Sequence, residues 1–266
     1  MTEVSKVVTQ DFSMDYFKFG NGKRNLVIIP GLSIQSVMGA ANTVAAEYQM
    51  MEDDFTVYVF DRRSDIPEGY SIFDMAKDTA EAIKSLGLSK VSIFGASQGG
   101  MIAMVIAINY PDLVEKLVLG STSSHIRPAQ AKVLESWIEL AKNGDAHSLY
   151  QKFAKEIYPP EIYSEYSDYF NDISNTVTTK DLERFVILAS AIIGFDISSD
   201  LKKIQCPTLA MGVFEDEVLD SDATMEIAEN LDYRPDFKLF MYIGYGHAAF
   251  DTAPDYRDRI LTFLKG

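Results

Sequence analysis

The chain has 266 residues with a formal charge of −15; it is 47% apolar and 24% charged, and contains one cysteine and three histidines. That length suits one main α/β domain with an insertion, and the apolar content excludes a disordered chain. The negative charge, with no clustered Lys/Arg stripe to reverse it locally, excludes nucleic acid as a partner, and the lone Cys206 excludes an internal disulfide or a cysteine-based metal cluster.

The N-terminus has no apolar core of signal-peptide length, and no run approaches the roughly 18 apolar residues that span a bilayer. The expectation is a cytoplasmic monomer or homodimer with no membrane contact. Residues 6–10 and 14–19 read as adjacent strands, with Gly20-Asn21-Gly22 as turn chemistry, and suggest an antiparallel edge to a sheet. The runs Leu26-Val27-Ile28-Ile29, Thr56-Val57-Tyr58-Val59-Phe60, Val91-Ser92-Ile93-Phe94 and Lys116-Leu117-Val118-Leu119 look like strands buried on both faces.

Between them, residues 40–51, 72–86 and 99–109 have helical patterns, the second stopping at Gly87 as a C′ glycine. From about residue 122 to residue 200 the strand signal vanishes and helical, aromatic-rich, acidic segments take over, among them 131–142 and 148–157. Strand and helix then alternate again, with strands over 208–213 and 237–242 and helices over 222–230 and 256–264. The pattern predicts a mostly parallel α/β sheet of about eight strands flanked by helices: core over 1–121 and 201–266, helical insertion over 122–200.

Gly95-Ala96-Ser97-Gln98-Gly99 lies between an apolar strand and a helix, the context in which a Gly-x-Ser-x-Gly turn lifts a serine clear of a sheet. The glycines are needed where a tight strand-to-helix turn crowds the backbone on either side. Such a turn sets Ser97 at a helix N-terminus, where unpaired N–H groups and the helix dipole favour negative charge, so Gln98 N–H is a candidate oxyanion donor. A serine hydroxyl also needs a base. His247, in Gly244-Tyr245-Gly246-His247 between the last strand and the last helix, is the candidate; His125 is placed near the insertion's entrance and His147 at the surface.

A carboxylate that orients His247 should come from the loop after the strand over 207–212, where Glu215, Asp216, Glu217 and Asp220 crowd together. Their position alone does not choose among the four.

The run from Phe94-Gly-Ala-Ser-Gln-Gly-Gly-Met-Ile-Ala103 through Tyr110-Pro111 and Leu117-Val-Leu-Gly120 resembles the α/β-hydrolase family. The resemblance covers about residues 20–122 and 200–266, and it implies a serine hydrolase whose variable helical cap is the insertion. It puts Asp216 on the acid position, with Glu215 as its main competitor. It also implies Leu32 N–H as a second oxyanion donor, in Pro30-Gly31-Leu32-Ser33, where proline replaces the family's usual histidine. Asp61-Arg62-Arg63-Ser64 keeps an Asp-Arg start without the glycine-rich continuation common in the family, which reads as structural.

The resemblance leans toward small-molecule esterases and enol-lactone hydrolases, which implies a small carboxylic ester or lactone as substrate and no metal or organic cofactor. Other members cleave carbon–carbon bonds, act as cofactor-free peroxidases, or sense ligands with little turnover, and these remain the alternatives. Substrate choice would rest on the insertion, where Trp137, Tyr150, Phe153, Tyr158, Tyr163, Tyr166, Tyr169 and Phe185 could line a pocket, with His125 as a further contact. Arg127 and Arg184 are the insertion's candidates for pairing with a substrate carboxylate, and otherwise lie at the surface.

Overall fold

A computed structural model describes all 266 residues. The chain begins with two antiparallel strands, β1 (Val4–Val8) and β2 (Ser13–Phe19), with Val7 opposite Met14. Next come β3 (Arg24–Ile29), a broken helical stretch containing α1 (Ala41–Glu47), and β4 (Phe55–Arg63). Then follow α2 (Ile72–Ser85), β5 (Val91–Ala96), α3 (Gln98–Asn109) and β6 (Val114–Gly120). Five helices separate β6 from the next strand: α4 (Pro128–Lys142), α5 (Ala146–Ile157), α6 (Pro160–Glu165), α7 (Ser167–Ser174) and α8 (Thr179–Ser190). The chain closes with β7 (Thr208–Val213), α9 (Ser221–Leu231), β8 (Phe237–Tyr242), α10 (Ala249–Thr252) and α11 (Tyr256–Lys265).

The eight strands form one sheet in the order β1-β2-β4-β3-β5-β6-β7-β8, antiparallel at the β1–β2–β4 end and parallel from β4 to β8. β5 and β7 are buried at every position because both sheet faces are covered. Val27 and Ile29 pack with α2, α3 and α9, while Leu26 and Ile28 pack with α1, α10 and α11 on the opposite face. α3 shows the same rule in helical form: its residues from Gln98 to Ala107 are all buried, which its nearly continuous apolar sequence permits.

Two local features depart from the sequence pattern or sharpen it. β4 runs on through Asp61, Arg62 and Arg63, beyond its apolar stretch, because β2 continues the ladder as far as the Met14–Arg63 pair. α2 ends as its glycine predicts: Gly87, at φ +73°, donates to Lys84 O while Leu88 donates to Ile83 O, which satisfies two carbonyls at the helix end.

The helical layer between β6 and β7 is closed at its base by its own entry and exit strands. Ile126 N–H donates to Phe195 O at 3.0 Å, and Ile197 N–H to Ser124 O at 2.8 Å. No helix is long and apolar enough to cross a membrane.

Candidate active site

The loops after β3, β5, β7 and β8 leave the same carboxyl edge of the parallel sheet, the edge at which open α/β sheets gather ligand-binding groups. Ser97 follows β5 directly and sits at φ +52°, ψ −120°, a conformation that is costly for a residue with a Cβ. Surrounding bonds hold it there: Ser97 N–H donates to Gly120 O at 2.8 Å, and the Thr122 hydroxyl donates to Ser97 O at 2.7 Å. A Cβ on Gly95 would stand 2.3 Å from Gly99 O, and one on Gly99 only 1.9 Å from Ile29 O. Both glycines are therefore required by main-chain contact, as the tight turn predicts.

The Ser97 Oγ lies 2.9 Å from His247 Nε2, and His247 Nδ1 lies 2.8 Å from Asp216 Oδ2. His247 and Asp216 are buried, and the other Asp216 oxygen accepts the N–H groups of Val218 and Leu219, each at 2.9 Å. A carboxylate fully engaged as an acceptor puts the imidazole proton on Nδ1 and leaves Nε2 free to accept from the serine hydroxyl.

The neighbouring carboxylates are committed elsewhere. Glu215 accepts Gly244 N–H at 2.8 Å and so braces the loop that carries His247; Glu217 is exposed. Asp220 caps α9 through Ala223 N–H and pairs with Arg127.

On the opposite side of Ser97, Gly31 approaches so closely that a Cβ there would meet Ser97 Cβ at 3.2 Å. Leu32 N–H, the next in the chain, has no acceptor in the protein, and Gln98 N–H is the first of the N–H groups that α3 leaves unpaired. The Gln98 side chain is fully buried and takes no part in that face of the site: its Nε2 donates to Leu188 O in α8 at 2.7 Å.

The proline that replaces histidine in this loop is held by its carbonyl. Arg62, buried under the loop, donates through Nη2 to Pro30 O at 2.8 Å and to Gln98 Oε1 at 3.1 Å. Burial pushes its guanidinium down to about 10, with Asp61 opposing the fall. Asp61 in turn accepts the Ser36 hydroxyl at 2.5 Å and pairs with Arg184 of α8. Replacing Arg62 by methionine keeps apolar volume but strands two buried acceptors, at a cost of about 1–3 kcal/mol in a denaturant titration. A loosened loop should also displace Leu32 N–H, the expected oxyanion donor, and lower kcat on a short ester by roughly tenfold, since a donor acts only when fixed in position.

A cavity of about 640 Å³ opens over Ser97, His247, Gly31 and Leu32 and is walled mostly by apolar side chains. Of the eight aromatic residues singled out in the insertion, Trp137, Tyr150, Phe153, Tyr158 and Tyr169 reach it. Trp137 packs on Phe153 with ring centroids 4.7 Å apart and directs its indole N–H to Glu156. The other three lie elsewhere: Phe185 is wholly in the core, Tyr163 stacks on Phe170, and Tyr166 is exposed.

His125 does not reach the cavity either. The backbone bridge that closes the base of the helical layer turns its ring toward Glu226, with Nδ1 3.0 Å from a carboxylate oxygen. Neither arginine offered for a substrate carboxylate is free, Arg184 being spent on Asp61 and Arg127 on Asp220 and Glu226. Sequence reasoning missed Phe170 and Asp251, both on the cavity wall. Asp251 carried a usable signal, lying four residues beyond His247 at the mouth of a new helix.

The sequence profile of the alpha/beta hydrolase fold matches residues 26–254. The chain belongs to the α/β-hydrolase family. This α/β hydrolase is similar to a protein of Agrobacterium fabrum named "Putative carbamate hydrolase RutD", 24% identical over 245 residues, spanning 88% of this chain and 93% of that one. A protein of the same name from Pseudomonas savastanoi pv. phaseolicola is 26% identical over 248 residues, with 88% and 93% covered.

Among solved structures, the fold superposes on MGS-M2, an alpha/beta hydrolase enzyme from a Medee basin deep-sea metagenome library, with a TM-score of 0.87 at 22% identity and 98% of both chains covered. The enol-lactonase from Burkholderia xenovorans LB400 gives 0.83 at 18% identity, covering 98% of this chain and all of that one (100%).

Proposed function

We propose that this α/β hydrolase cleaves a small carboxylic ester or lactone through an acyl-enzyme on Ser97. The observation that carries the reading is the continuous hydrogen-bonded path from Ser97 Oγ through His247 to a buried Asp216, opening into a cavity whose floor holds unpaired N–H groups. His247 Nε2 takes the hydroxyl proton as Ser97 Oγ attacks the acyl carbon, and the carbonyl oxygen, now an oxyanion, receives the N–H groups of Leu32 and Gln98. When the tetrahedral species collapses, the C–O bond to the alcohol breaks and His247 returns the proton to the leaving oxygen. Water, activated by the same imidazole, then releases the acid and restores Ser97. No step calls on a metal or an organic cofactor. In this reading residues 122–200 act as a cap whose aromatic wall selects the acyl group.

The relatives' name favours a second reading, carbamate cleavage. A carbamate presents the same kind of carbonyl carbon to Ser97, so the two readings differ in substrate and not in machinery. A fluorophosphonate probe followed by peptide mapping tests both together, with the label expected on Ser97 alone. A label elsewhere, or no label combined with no Ser97-dependent turnover of p-nitrophenyl acetate or butyrate, would sink the proposal. A higher kcat/KM on a small carbamate than on its matched ester would select the second reading.

A further inference from the structure

One charged side chain interrupts the cavity's apolar and uncharged wall. Asp251, on α10, is the only Asp, Glu, Lys or Arg that lines it. Its surface is exposed, and its Oδ2 accepts the hydroxyl of Tyr158, another wall residue, at 3.2 Å. No cation pairs with it: Arg257, whose charge acts on it, is engaged by Glu47 and lies over the Tyr48 ring. A carboxylate that faces a mostly apolar cavity with one neutral donor and no cation has acceptor capacity left for a positively charged ligand.

We infer that Asp251 and Tyr158 form a subsite for a positively charged nitrogen, so that the preferred substrate carries a protonated amine or quaternary ammonium group rather than a carboxylate. The inference rests on the serine-hydrolase reading for what is cleaved, but not for what is bound. The cavity has no lysine or arginine to receive an anion, and the chain's overall charge of −15 works in the same direction.

The subsite's charge depends on pH. Asp251 opens to the cavity and not to bulk solvent alone, and desolvation by the surrounding wall pushes its carboxyl up to about 6; Arg257, the Tyr158 hydroxyl and His247 pull it down, and Glu47 pushes it up. Preference for a cation is therefore present above about pH 6 and fades as the carboxylate takes a proton below it.

The test compares p-nitrophenyl 4-(trimethylammonio)butyrate with the p-nitrophenyl monoester of glutarate, which differ chiefly in the sign of the terminal charge. At about pH 8 the kcat/KM ratio of cation to anion should exceed roughly tenfold, and Asp251→Asn, checked for folding by its melting curve, should bring it close to unity. Lowering the pH to about 5 should erode the ratio in the native protein, and any loss of rate common to both esters cancels in it. A native ratio at or below unity, or one unmoved by Asp251→Asn, overturns the inference.

Binding of ethyl 4-(trimethylammonio)butyrate and monoethyl glutarate to Ser97→Ala protein, followed by calorimetry, separates this result from the proposed chemistry. Cation-selective binding that disappears in Ser97→Ala/Asp251→Asn, together with a native protein that turns over no ester, supports the subsite and refutes the hydrolase reading. Ester turnover with no charge preference does the reverse.

Discussion

Replacing Ser97 by alanine should lower kcat for a short acyl ester by a factor on the order of 10⁶, measured by p-nitrophenol release with the native protein as reference. The size of the loss follows from geometry. Ser97 Oγ is the one atom within hydrogen-bond reach of His247 Nε2, so its removal leaves the imidazole with nothing to activate except bulk water. The unpaired N–H groups of Leu32 and Gln98 survive the change and should sustain a residual rate above that of water alone. His247→Ala should cost nearly as much, and the double variant little more than either single one, because the two side chains act as one unit. A Ser97→Ala protein that keeps more than about a thousandth of native activity would transfer the chemistry to another group.

The second large effect concerns Asp216. Asp216→Asn should reduce kcat by about 10⁴-fold while leaving the melting curve close to native. The asparagine carbonyl can still accept from Val218 and Leu219, which preserves the loop. Its amide group, however, would now donate toward His247 Nδ1, move the imidazole proton to Nε2, and turn that nitrogen from acceptor to donor against the serine hydroxyl. Glu215→Gln is the matched comparison. Glu215 touches Gly244 N–H and not the imidazole, so its change should cost much less, and a reversed ranking of the two variants would exchange their roles.

The fold was largely legible because its signals are local. An apolar run buried on both faces, followed by Gly95-Ala96-Ser97-Gln98-Gly99 and a helix apolar on every side, has few readings other than a strand, a tight turn and a buried helix. The antiparallel edge and the strand-poor stretch before β7 were legible for the same reason. The choice among Glu215, Asp216, Glu217 and Asp220 came from the family resemblance alone, which favoured Asp216, because composition makes the four equivalent. What separates them is tertiary: Val218 and Leu219 N–H turn one carboxyl group inward toward a histidine 31 residues away.

The insertion was the least legible part. Its aromatics recur at helical spacing whether they face the cavity, as Tyr150 does, or the core, as Phe185 does. Arg184 looked free because its partner, Asp61, lies 123 residues earlier in the chain. Arg62 looked like one more strand-end charge because Pro30 and Gln98, which it joins, are 32 and 36 residues away in opposite directions.

α8 rests on the same network, with Leu188 O held by Gln98 and Arg184 by Asp61. The helix therefore lacks the freedom to diverge that a loosely attached lid enjoys. A substitution that shifts its register would reach the main chain beside Ser97 and tax every substrate alike. New specificities in this lineage, natural or engineered, should accumulate on the cavity faces of α4 and α7, where Trp137 and Tyr169 make no hydrogen bond to the loop after β3 or to the turn at Ser97. α8 should drift last.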